Sequence, residues 1–120
     1  MAAAFMTVMI VEGDRAMRHL IKKLIDDLAD AFYECGNGER ALADYQEYRP
    51  DWVLMDIRME GMDGLTATRE IIARFPEAKI AIVTSYNDQS LREAAHRAGA
   101  CDYVLKDDLH ILRGMLSAPR

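Results

Sequence analysis

Pro50-Asp51-Trp52-Val53-Leu54-Met55-Asp56-Ile57-Arg58-Met59-Glu60-Gly61-Met62-Asp63-Gly64 is the stretch from which the fold of this chain can be read. Trp52 to Met55 is an unbroken apolar run after a Pro-Asp start, the pattern of a strand buried on both faces of a parallel sheet. Asp56 ends the run, and Gly61 and Gly64 around Asp63 mark a turn before the next helix. Carboxyl ends of parallel strands are where chemistry collects, which makes Asp56 a candidate functional group rather than only a solvated turn residue.

The same pattern repeats on either side. Thr7 to Val11 predicts an interior strand ending at Glu12, with Gly13 and Asp14 as turn and helix cap. Met17, Leu20, Ile21, Leu24, Ile25 and Leu28 then recur at helical spacing and predict one inward stripe. Ala31 to Cys35 reads as a half-polar edge strand closed by Gly36-Asn37-Gly38. Ala41, Leu42, Tyr45 and Tyr48 mark a second helix, ended at Arg49-Pro50. Leu65 to Phe75 gives a third helix, and Lys79 to Thr84 a fourth strand. A fourth helix follows Asp88, with Leu91, Ala94, Ala95 and Ala98 on one side and Gly99 at its end; its alanine face should pack loosely. Tyr103 to Leu105 is a fifth strand ending at Lys106, and a last helix is expected from about Asp108. Five strands alternating with five helices, joined by connections too long for hairpins, imply an α/β doubly wound parallel sheet.

The chain has 120 residues, enough for one domain with one substantial core. Its share of hydrophobic residues, 51%, and of charged residues, 29%, is that of a compact globular protein. The net charge of -5 and the scatter of basic residues argue against nucleic-acid binding by this segment's own surface. The two cysteines, Cys35 and Cys101, are expected to be buried or inert free thiols in a reducing cytosol. The apolar start from Met1 to Val11 has no basic leader or cleavage site and is too short to span a membrane, so no membrane association is expected. Residues 1–6 read as a disordered start, 7–117 as the domain and 118–120 as a tail or the start of a linker. His19, His96 and His110 fall on helices without metal-ligand spacing and read as surface residues.

Four strand ends deliver Glu12 (with Asp14 nearby), Asp56, Thr84 and Lys106 to one edge of the sheet. Carboxylates gathered in one pocket repel, and a hard cation relieves that; oxygen ligands with retained waters suit Mg²⁺. A carboxylate, a divalent cation, a hydroxyl and a lysine are the parts needed for phosphoryl transfer to an aspartate.

Val11-Glu12-Gly13-Asp14, the Asp56 to Gly64 segment, Val83-Thr84-Ser85 and Ala98-Gly99-Ala100-Cys101-Asp102-Tyr103-Val104-Leu105-Lys106 resemble a bacterial response-regulator receiver domain over nearly the whole chain. The resemblance implies a flavodoxin-like sheet of strand order 2-1-3-4-5 and a cytoplasmic two-component switch. It implies Asp56 as phosphoacceptor for a sensor histidine kinase, transfer and slow dephosphorylation catalysed by the domain itself, and Thr84 and Lys106 at the phosphoryl group. It also implies Tyr103, with Thr84, as the switch pair, and Mg²⁺ on Glu12, Asp56 and the Arg58 backbone carbonyl; with Gly13 lacking a carboxylate, Mg²⁺ is expected to keep an extra water or recruit Asp14. Output would pass through the face of the fourth helix, fifth strand and fifth helix, to an output domain or a second copy. Three positions depart from the family pattern. Gly13 stands where a second acidic metal ligand is usual, Glu60 where proline is usual, and Asp107 where proline often follows the lysine. A Lys-Asp pair there resembles regulators with a helix-turn-helix output domain and a role in transcription. Gly13 keeps open a pseudo-receiver, a binding module acting without phosphate. A flavin protein of similar topology is disfavoured by the short acidic Glu12 to Arg15 loop.

Overall fold

The computed structural model describes residues 5–59 and 61–118; residues 1–4, Glu60 and residues 119–120, with the expectations attached to them, lie outside it. Strands β1 (Thr7–Val11), β2 (Ala31–Cys35), β3 (Trp52–Met55), β4 (Ile80–Thr84) and β5 (Asp102–Leu105) alternate with helices α1 (Arg15–Ile25), α2 (Gly38–Tyr48), α3 (Gly64–Arg74), α4 (Gln89–Ala98) and α5 (Ile111–Ser117). All strand pairs are parallel, in the order β2-β1-β3-β4-β5. The strand order implied by the resemblance is therefore the one observed.

Alternation along the central strands divides the core in two. Met9, Val11, Val53, Met55, Ile80 and Ile82 pack under α2, α3 and α4. Val8, Ile10, Leu54, Ala81 and Val83 pack under α1 and α5, against Ile21, Ile25, Leu112 and Leu116. Trp52 is buried at the start of β3, with the Lys79 ammonium 4.6 Å over its ring. Each of the first four helices begins at an Asp or Asn whose side chain accepts a backbone N–H of the first turn: Asp14, Asn37, Asp63 and Asp88. These caps lie in the loops that leave the strand ends, two to four residues on for Asp14, Asn37 and Asp88 and eight for Asp63, so the loops that carry the site are also helix starts.

Several local expectations are corrected. α1 stops at Ile25, and Leu28 belongs to a turn that donates to the Ile25 carbonyl. Leu20 is 45% exposed, because α1 packs through Ile21 and Ile25 and the stripe read from the sequence is wider than the contact. Tyr48 is exposed and stacks on Tyr33 with ring centroids 4.1 Å apart. α2 closes at Arg49 in a left-handed conformation, φ 44°, with its N–H on the Tyr45 carbonyl. The last helix does not start at Asp108: a 3₁₀ turn spans Lys106–Asp108 and α5 begins at Ile111, without a side-chain cap. Met6, expected in a disordered start, packs on the α1/α5 core and its carbonyl accepts from Asp30 and Ala31. Both thiols are free; Cys35 is buried, and Cys101 is exposed. The three histidines are exposed.

Candidate functional site

Register builds the site. Val11 pairs with Met55, so the residues that follow, Glu12 and Asp56, leave the sheet side by side, with Asp56 N–H on the Val11 carbonyl at 2.9 Å. Thr84 pairs with Leu105, which sets Lys106 one residue beyond Thr84 on the same edge. Glu12, Asp56 and Thr84 are all buried, at 4%, 6% and 0% exposure. Gly64 lets α3 start against this point: a Cβ there would fall 1.8 Å from the Asp56 carbonyl oxygen, a gap only glycine leaves.

The Lys106 ammonium bridges the two carboxylates, 2.8 Å from Glu12 Oε1 and 3.4 Å from Asp56 Oδ2. Asp56 Oδ1 accepts from its neighbour Ile57 N–H at 2.9 Å. One cation between two buried anions leaves negative charge in excess. Burial and the nearby Glu12 carboxylate push the Asp56 carboxyl above its usual range, more than Lys106 pulls it down. Burial alone would lower the Lys106 pKa, but its hydrogen bond to Glu12 and the charge of Asp56 hold it above the usual lysine value.

Asp14 is not brought into this cluster. Its carboxylate turns to cap α1, accepting Ala16 N–H at 2.9 Å, while its own N–H donates to Glu12 Oε2 at 2.9 Å. Among the described residues no group of three or more His, Cys, Asp or Glu side chains is placed to hold a metal ion. The carboxylates that meet Lys106 are therefore Glu12 and Asp56, and Glu12 also lines an open cleft with Gly13, Asp14, Asn37, Arg58 and Asp63.

Beside the carboxylates, Thr84 Oγ1 accepts Tyr86 N–H at 3.3 Å, and the Tyr103 hydroxyl donates to the Tyr86 carbonyl at 2.6 Å. The Arg58 guanidinium lies 4.8 Å over the Tyr86 ring, and that of Arg92 lies 4.6 Å over Tyr103. A continuous set of contacts thus runs from the loop after Asp56, through Tyr86 and Tyr103, to α4. Tyr103 carried a role in the sequence reading only by resemblance, and Arg92 carried none. The Arg92 contact needed the observed placement of α4 beside β5, which no local spacing encodes.

Residues 8–116 match the family described as Response regulator receiver domain. The chain is similar to the chemotaxis protein CheY of Bacillus subtilis (strain 168), 37% identical over 100 residues, covering 82% of this chain and 83% of that one. It is also similar to the DNA-binding transcriptional regulator NtrC of Salmonella typhimurium, 35% identical over 102 residues, but spans only 21% of that longer protein. A crystal structure of a LuxR-family two-component response regulator from Aurantimonas sp. SI85-9A1 superposes with a TM-score of 0.86 at 28% identity, covering 98% of this chain and 89% of that one. Nothing among these relatives favours a fold kept without its phosphorylation chemistry. Family match, strand order and the cluster at the strand ends agree, and the chain belongs to the response-regulator receiver-domain family.

Proposed function

We propose that Asp56 is the phosphoacceptor of this receiver domain and that Glu12, Thr84 and Lys106 complete its reaction site. The observation that carries the reading is the Lys106 ammonium, at the end of β5, held between buried Asp56 and Glu12 at the ends of β3 and β1. An Asp56 carboxylate oxygen attacks the phosphorus of a kinase phosphohistidine. The P–O bond forms, the N–P bond breaks, and its electron pair leaves on the imidazole nitrogen. Lys106 moves to an equatorial phosphoryl oxygen, and the Thr84 hydroxyl, now an acceptor from Tyr86 N–H, donates to another.

Receiver domains generally bind Mg²⁺ at this position, and the donors here fit a hydrated hard cation: oxygen ligands only, with excess negative charge. Glu12, Asp56 and the Arg58 carbonyl would hold it, and Asp14 could join only by leaving its cap on α1. When bound, Mg²⁺ neutralises charge on the transferring group.

Movement of Thr84 toward the phosphoryl group disturbs its bond with Tyr86, and through the Tyr86 carbonyl it disturbs Tyr103. The altered surface is then that of α4, β5 and α5, read by an output domain or a second copy of the chain. Among the described residues no helix is long and apolar enough to cross a membrane. Incubation with Mg²⁺ and a small phosphodonor should add the mass of one phosphoryl group, and Asp56→Asn should abolish the gain. Full labelling of that variant overturns the assignment.

A further inference from the structure

The geometry points to Arg18 as a positioning residue for the acidic site: its guanidinium grips the carbonyls of the Glu12-Gly13 loop and thereby fixes the Glu12 carboxylate. This rests on the site proposed above and adds a residue outside it. Arg18 Nη1 donates to the Glu12 carbonyl at 2.7 Å and, more weakly, to the Gly13 carbonyl at 3.4 Å. Its Nε donates to Glu34 Oε1 at 3.1 Å, and Lys22 holds the other Glu34 oxygen at 3.1 Å. The side chain is largely covered, at 18% exposure. One end of the guanidinium is therefore anchored on β2 while the other holds the site loop.

The loop needs this restraint because of Gly13. Glycine loses more conformational freedom on ordering than any other residue, and here it separates Glu12 from the first residue of the α1 cap. Glu12 has to present Oε1 to Lys106 and Oε2 to the Asp14 N–H at the same time. Both contacts depend on the orientation of the Glu12-Gly13 and Gly13-Asp14 peptides, the two whose carbonyls Arg18 holds. Charge-assisted bonds from a guanidinium are the stronger kind, and a group two bonds removed from a ligand sets its geometry.

Gly13 supplies the control. Its φ lies outside the left-handed region, and a Cβ would meet only the Gly36 carbonyl oxygen, at an ordinary 3.6 Å. Alanine fits there and restricts the loop by itself. Arg18→Ala should speed hydrogen exchange at the Asp14 amide without Mg²⁺ present, and weaken Mg²⁺ binding by calorimetry about ten- to a hundredfold. Adding Gly13→Ala should recover part of both losses. Arg18→Lys, which keeps one donor on the loop and its charge near Glu34, should fall between wild type and Arg18→Ala and stands in if the alanine variant does not fold. Glu34→Gln, which removes the anchor's charge but not the grip, should change Mg²⁺ binding less than Arg18→Ala.

An unchanged Asp14 exchange rate in Arg18→Ala overturns the inference, and so does a Glu34→Gln loss as large as that of Arg18→Ala, which would make Arg18 only a tether between α1 and β2. If wild type takes up neither Mg²⁺ nor phosphoryl group, the proposed function fails, while Asp14 exchange still decides the role of Arg18.

Discussion

Asp56 sits in a state of charge that costs the fold stability. A carboxyl whose folded pKa is raised binds its proton more tightly in the folded than in the unfolded chain, so stability falls as pH rises from the ordinary value of 3.8 through the folded one. Asp56→Asn removes the buried charge, and near neutral pH the variant should be more stable than wild type by about 0.5–2 kcal/mol. That difference should close on acidification below the ordinary carboxylate value, where wild type is protonated too; urea unfolding at both conditions reads it. Lys106 acts at the other end of the scale. Its raised pKa contributes stability below 10.5 that is lost as pH rises through the folded value. Gly13→Asp restores an acidic side chain at a position that accepts one, and calorimetry should show Mg²⁺ binding about ten- to a hundredfold tighter, the worth of one charge-assisted contact. Equal affinity in wild type would mean that Asp14 already serves as a ligand. The strand-end residues were legible because a parallel sheet delivers its carboxyl ends to one edge whatever the loops do. The sequence also marked Asp14 both as helix cap and as metal ligand, and its carboxylate is engaged in the cap.

Among the helices, α4 is held with the least apolar weight: only Ala95 and Ala98 of it are buried. Its ends are fixed locally instead. Asp88 accepts both Ser90 and Leu91 N–H, and Gly99 closes the helix at φ 106° with its N–H on Ala95 and His96 carbonyls. A side chain at Gly99 would be strained by that φ and would meet Ile72 at 2.8 Å. Gly99→Ala should therefore cost about 1–3 kcal/mol, visible as a lower thermal midpoint, while leaving labelling of Asp56 in the folded protein intact. Elements with a strong period or an unbroken apolar run were legible from residues alone, as β1, β3 and β4 were. The start of α5 was not. Lys106 is pulled toward Glu12 and Asp56, the chain continues in a tight 3₁₀ turn, and the inward leucines Leu109 and Leu112 keep helical spacing across a break that spacing does not register.

Across the molecule, a small movement at Thr84 has a contact route outward through Tyr86 and Tyr103, and it leads to the helix held with the least apolar weight. Hydrogen exchange in residues 85–98 should change when Asp56 is phosphorylated or a phosphate mimic is bound, whereas Ile21 and Ile25 of α1, packed on the opposite face of the sheet, should keep their protection. An unchanged pattern in residues 85–98 at demonstrated occupancy would exclude this route. The two halves of the core also give the molecule an optical asymmetry. Trp52, the single tryptophan, is at the start of β3 and Asp56 just past its end, about 13 Å away at about 3.3 Å per strand residue. Its emission should shift to the red when the sheet opens and stay nearly constant when the far edge takes up an ion or a phosphoryl group. The indole is thus a poor titration signal and a clean unfolding signal, in which a site ligand registers only as a later melting point.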